Sequence, residues 1–272
     1  MVHSFMAPTA PTVGGELVPH YLGMKPYEQG GIRFALEDYV NVDDIKPPRV
    51  FGHIDNKTDY LMLGNDQAGC CVVAGEAHEH MIWTKAVTGK TCPFSTQIVL
   101  NEYKAASGWN GVSDDPTDTG LDMVAQAKRR RQIGILDANG TRHKIEAYAR
   151  IKNFDNLVKC MWVFGAIGIG ATIPQSATSQ FSSGQPWTVV DGSRELGGHY
   201  MTACGMNSRG NITVITWGRL QAITPAWIDK YVDVIVAYIS LDYIDPKKNL
   251  TPELIDTAKL HADLGRLGTV GV

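Results

Sequence analysis

The apolar residues of this chain change their spacing near residue 163, and that change limits the folds open to it. Before it, apolar positions recur every three or four residues, the period of a helix with one buried face. Val72, Val73, Ala77 and Met81 follow the turn Gly64-Asn65-Asp66 and predict a helix from Cys71 to about Val87. FSTQIVLNEYKAA, residues 94–106, predicts a second, with Ser95 as its N-cap. Leu121 to Arg131 and residues 154–163 predict two more. Past residue 163 the pattern becomes four short apolar, β-branched runs: AIGIGATI (166–173), HYMTACGM (199–206), NITVITWG (211–218) and VDVIVAYISL (232–241). Gly, Pro and Asn bound these runs, so they read as strands of a mainly antiparallel sheet. Helices first and strands second imply an α+β fold of two lobes, a helical lobe followed by an antiparallel β lobe.

The flanks follow neither period. APTAPTVGGELVPHYLG, near the N-terminus, reads as an extended arm held by a partner subunit or by the domain itself. With its lead-in this arm spans residues 1–58, and the domain proper spans 59–245. Residues 246–272 carry a C-terminal helix, opened by Thr251-Pro252 and stopped after Leu264 by Gly265, and a tail.

A chain of 272 residues can bury a substantial core. The net charge of −3 offers no basic excess for nucleic acid. The run Lys128, Arg129, Arg130 and Arg131 reads as the solvated end of a helix. No stretch approaches the roughly 20 apolar residues of a membrane span. The first residues lack the charged-then-apolar pattern of a secretory signal. The five cysteines, irregularly spaced, do not read as a disulfide framework. A reducing compartment is implied, either the cytoplasm or a virion assembled there.

Cys71 is the residue with most chemical promise. At a helix N-terminus the unpaired N–H groups favour a thiolate, the form that attacks. A thiolate needs a base, and His199 follows Gly197-Gly198 at the start of an expected strand, a rigid place to present an imidazole. Each residue also has a plainer reading: a buried apolar thiol, a strand-end histidine, and, for Asn65, ordinary turn chemistry. His78, Glu79 and His80 suggest a metal, but residues two apart on a helix face different ways, so metal and cofactor are both read as none.

Taken in order, these motifs resemble the papain-like cysteine peptidase superfamily over about residues 60–243. Members carry an oxyanion-binding Gln six residues before the Cys that opens a central helix; here Asn65 stands six before Cys71. FSTQIVLNEY, TGLDMVAQAKRRRQIGI, VFGAIGIGATI, FSSGQPW, GGHYMTACGM and NITVITWG resemble the successive segments that follow, the last two bearing the catalytic His and the Asn-Ser-Trp-Gly strand. GNDQAGCCVVAGEAH is also similar to a pattern in papain-like proteins of actinobacterial phages, which implies a phage source. The resemblance implies a two-lobe papain-like fold with Cys71 as nucleophile, His199 as base, Asn65 in the oxyanion hole and Trp217 shielding the base.

Two departures stand out. Asn65 is one methylene shorter than the family Gln. The family Asn that orients the base falls on Ile215, which cannot accept the imidazole N–H, leaving His199 to borrow an acceptor such as Asp191. Two functions are therefore expected. One is a cysteine hydrolase that cleaves a peptide or amide bond of a protein substrate through a Cys-His dyad. The other is a catalytically degenerate structural protein of a phage particle, a capsid or tail component whose arm grips neighbouring subunits.

Overall fold

The computed structural model describes residues 5–11, 17–33, 35–38, 42–54, 58–244 and 251. Beyond Thr251, the helix expected over residues 251–264 lies outside them. Near the N-terminus, β1 (Phe5–Pro11) and β2 (Leu17–Leu22) form an antiparallel pair. The arm is therefore a hairpin, although no strand period is visible in its residues. The chain next crosses β3 (Phe51–Gly52).

Four helices follow close to their expected places. They are α1 (Cys71–Thr88), α2 (Thr96–Ser107), α3 (Met123–Gln132) and, further on, α4 (Phe154–Phe164). The last three starts are set by local chemistry. Ser95, Asp122 and Asn153 each accept a backbone N–H of the first helical turn. α1 has no such cap, and every residue from Cys71 to Trp83 is buried, so it is a core helix rather than an amphipathic surface one. β4 (Ile135–Leu136) and β5 (Arg142–His143) make a short ribbon beside α2.

The β lobe is built from β6 (Ala147–Arg150), β7 (Ile167–Pro174), β8 (Glu195–Met206), β9 (Ile212–Thr216), β10 (Arg219–Ile223) and β11 (Val232–Ile239). These run antiparallel in the order β10-β9-β8-β7-β11-β6, with β3 also on β8. α5 (Gln175–Ser182) and α6 (Pro225–Tyr231), both short, pack on β7. The α+β expectation holds.

Strand period explains how one sheet serves two cores. Along β8, Met201 and Ala203 join Met161, Ile169, Trp187 and Trp227 in a cluster on the α4 side. Tyr200 and Cys204 join Val73, Ala77, Trp83 and Tyr103 in a cluster on the α1 side. A buried charge network stitches the second cluster together. Arg130 of α3 pairs with Glu79 of α1 and lies 3.7 Å from Glu76. Tyr200 donates to Glu79, and Gln126 donates to Glu76 at 2.7 Å. The basic run is thus not simply solvated: Arg130 is buried, and Arg129 pairs with Glu102 at 2.5 Å. Two acids already fixed on α1 draw Arg130 inward.

Candidate active site

The first site element is the turn before α1. Asn65 is buried there, and its side-chain N–H groups reach the carbonyls of Ala68 at 3.3 Å and Tyr21 at 3.4 Å. Asp118 braces the turn by accepting the Gly69 N–H at 2.8 Å. Cys71 opens α1 and is 1% exposed. The backbone N–H groups of Tyr200, the residue after His199, and of Gly23 of the arm act on its thiol and favour the thiolate. Cys70 faces elsewhere, toward the Leu63 carbonyl at 3.5 Å. All five cysteines are free thiols.

The second element is the imidazole of His199, also 1% exposed. Its Nε2 lies 2.8 Å from Thr216 Oγ1, and its Nδ1 has no partner. Trp217 stacks on the ring with centroids 4.6 Å apart. A two-residue turn, Trp217-Gly218, joins β9 to β10, and both residues have positive φ (45° and 70°). This is the hairpin geometry that matches strand twist, and it swings Trp217 over the His199 ring.

The expected departure at Ile215 takes a different form. Ile215 pairs with Thr202 in the sheet, and its side chain lies in the α1-side cluster. Alternation therefore turns Thr216, not Ile215, toward His199. Asp191 is not the substitute acceptor: its side chain is 98% exposed and lies 3.4 Å from Lys230. Motif alignment stops at Ile215 and so misses Thr216; strand alternation is the signal that finds it.

The third element is the arm, which occupies the cleft between the lobes. The Tyr21 N–H donates to the Asn65 carbonyl at 2.8 Å. The Tyr21 carbonyl accepts from the Asn65 side chain and from Trp217 Nε1, each at 3.4 Å. Leu121 N–H donates to the Gly23 carbonyl at 2.8 Å, Met24 N–H to Gly198 at 3.0 Å, and Lys25 N–H to Leu121 at 2.9 Å. The walls are glycine. A Cβ on Gly23 would collide with the Gly69 backbone, one on Gly120 with the Gly23 backbone, and one on Gly198 with the Met24 carbonyl. The channel thus admits an extended main chain and excludes side chains at its tightest point.

Covering the site reverses the electrostatics expected of a helix N-terminus. Burial pushes the Cys71 thiol up to about 12, although N–H groups of Tyr200, Gly23 and Val72 pull the other way. Burial lowers His199 to about 3, with His20 of the arm adding to the effect. His20 is itself lowered to about 4, by burial and then by Arg219. With the arm in place both groups are neutral near pH 7, Cys71 as thiol and His199 as imidazole.

Comparison with solved structures places this architecture. Xylellain, a cysteine protease from Xylella fastidiosa, superposes with a TM-score of 0.56 at 11% identity, over 88% of this chain and 97% of that one. The fold is papain-like. Procathepsin B S9 from Trypanosoma congolense matches at a TM-score of 0.54 and 11% identity, over 86% of each chain. The cysteine protease CMS1MS2 of Carica candamarcensis matches at 0.50 and 14%, over 71% of this chain and 99% of that one. No family model and no curated protein matches the sequence. Within the papain-like fold, Cys71 opens the central helix and His199 lies on the neighbouring strand of the β lobe. His78 and His80 diverge as their spacing requires: His78 Nε2 lies 2.7 Å from the Tyr60 carbonyl, and His80 Nδ1 lies 2.7 Å from Asp242. No helix among the described residues is long and apolar enough to cross a membrane.

Proposed function

We propose that the chain is a cysteine hydrolase of peptide or amide bonds, kept latent by its own N-terminal segment. Cys71 attacks the carbonyl carbon, His199 takes the thiol proton and returns it to the leaving amine, and water then releases the acyl group. The Asn65 side chain and the Cys71 backbone N–H receive the oxyanion. Thr216 holds the His199 ring. The observation that carries this reading is residues 20–25 lying extended in the cleft, with a carbonyl on Asn65 and Gly23 against the Cys71 thiol. A groove that hydrogen-bonds its own main chain on both sides suits an extended peptide with glycine at the narrow point.

A second reading, an inert papain-like component of a phage particle, draws support from the raised thiol and lowered imidazole. The two part on alkylation by iodoacetamide across pH, with Cys71→Ala as control. A hydrolase gives a Cys71 that reacts below the ordinary cysteine pKa of roughly 8.5 once the arm is displaced. A scaffold gives a Cys71 that, once uncovered, titrates no lower than an ordinary thiol, and that result would sink the catalytic reading.

A further inference from the structure

On the far side of α1, three residues distant in sequence converge. His80 sits on α1, His143 on β5, and Asp242 in the 3-10 turn Leu241–Tyr243 that follows β11. Both imidazoles point Nδ1 at the same Asp242 oxygen, each at 2.7 Å. One donor atom from each of the three lies within 4.8 Å of the others. His80 and His143 are buried, while the Asp242 side chain is 25% exposed. Aromatic rings enclose the pair: Trp83 stands edge-on to His80 at 5.0 Å, and Phe94 lies 6.1 Å from His143.

We propose that His80, His143 and Asp242 form a binding site for a divalent transition-metal ion of the zinc type. Two imidazole nitrogens and one carboxylate are the donors such ions prefer over magnesium or calcium. Bonds of about 2.0–2.2 Å in tetrahedral array separate neighbouring donors by about 3.3 Å. The Asp242–His pairs need open by only about half an ångström to meet that spacing, within the reach of small side-chain rotations. With Nδ1 ligating, each ring carries its proton on Nε2. His143 Nε2 then faces Asp137 Oδ2 at 3.4 Å, the carboxylate that commonly orients a ligating histidine. The exposed edge of Asp242 leaves an entry path and a fourth position for water.

The ion would tie α1, the β4–β5 ribbon and the chain leaving β11 into one unit. It would not act on the thiol, because His80 is nine residues beyond Cys71, about 14 Å along the helix axis. The test is calorimetric titration of the chelator-treated full chain with Zn2+, with thermal unfolding in parallel. One equivalent should bind and raise Tm, whereas Mg2+ should do neither. Asp137→Asn should weaken binding by about 10–100-fold, and Asp242→Asn and His143→Gln by more. Less than one equivalent bound, or an Asp242→Asn protein that binds Zn2+ as tightly as the parent, overturns the site and leaves a hydrogen-bonded clasp. Should Asp242→Asn not fold, Co2+ added to the parent chain decides. An intense tetrahedral spectrum supports the site; the weak spectrum of a hydrated ion refutes it.

Discussion

The start and the middle of α1 are equally buried but differently partnered, and the difference separates reactivity from framework. In the middle, each buried acid has a named partner. Glu76 has Gln126 on one oxygen and the Arg130 charge 3.7 Å from the other, which lacks a hydrogen bond, and Glu79 has Arg130 and Tyr200. At the start, the Cys71 thiol has only backbone N–H groups, and His199 keeps Nδ1 without a partner. Buried polar groups in native structures are nearly always satisfied, and a reactive one left spare needs a reason. Here the cover is a segment of the same chain, so the spare capacity is covered rather than satisfied. On the proposed function, a fixed network holds the helix and a removable lid covers the chemistry.

The sharpest break in this comparison is at its fixed end. Arg130→Met leaves Glu79 and Glu76 buried with their cation gone. Removing one partner of a buried pair typically costs about 3–5 kcal/mol. Chemical denaturation should show that loss, and Cys71→Ser should show far less. Arg130 also caps the Tyr238 ring at 3.8 Å, so methionine, which retains packing volume, is the fair replacement. If Arg130→Met unfolds at the parent's midpoint, the network is not what holds α1.

The removable end breaks more gently. Gly23→Val cannot fit against the Gly69 backbone, so residues 20–25 must leave the channel. Water then reaches Cys71, whose thiol no longer stays near 12. Alkylation by iodoacetamide at pH 7.5 should rise on the order of a hundredfold, in line with a return toward the free-thiol value. Unchanged alkylation would mean that the arm is not what shields the thiol.

Much of this division could be read from the chain. The helices and the four apolar strands follow local periodicity, and local pattern survives in sequence. Cys71 at a helix start, with Asn65 before it and His199 far downstream, is also legible, because chemistry restricts those residue types. What escaped reading depends on distant partners. β10 and α5 are too polar to show an apolar period, and only their packing on the sheet and its helices fixes them. Arg130 looks like its neighbours Lys128 and Arg131 until α1 supplies the acids. The thiol's environment is set by residues 20–25, some fifty positions upstream, so no pattern around Cys71 reveals it.

Acid should loosen residues 20–25 more than the helix. His20 and His199 have covered-state values near 4 and 3, below the free value of about 6.5. The covered state therefore binds fewer protons than the open one below pH 6.5. Its advantage is complete above that pH and declines as pH falls toward 4, by up to about tenfold per unit for each histidine. Hydrogen-exchange protection of the Met24 amide, corrected for intrinsic rates, should drop between pH 7 and pH 5. Within α1 the Glu76 carboxyl responds in the opposite sense. Burial raises Glu76 to about 7, so over that range the folded helix takes up a proton that the unfolded chain does not. Glu76 thus offsets part of what His78 and His80 of the same helix lose, both lowered by burial to about 4, so protection along α1 should fall less than at Met24. Equal loss of protection at both places would mean global acid unfolding and not release of the lid.

The smallest expected effect falls on the one partner that His199 does have. Thr216→Val keeps the shape but removes the hydroxyl 2.8 Å from Nε2. In the Gly23→Val background, with the cleft open, the ring loses what fixes its orientation. Cys71 alkylation near neutral pH should then fall roughly tenfold, a fraction of what a well-placed general base contributes. A merely structural Thr216 would alter Tm and leave the pH profile of alkylation alone, so the profile is the readout. Ile215→Asn supplies the control. It restores the amide found in papain-like peptidases, but on the sheet face turned toward α1, where it must be buried away from His199. Stability should drop with no gain in reactivity. A gain would mean that the strand can shift by one residue to bring the introduced amide round to the base, and that Thr216 merely fills its place.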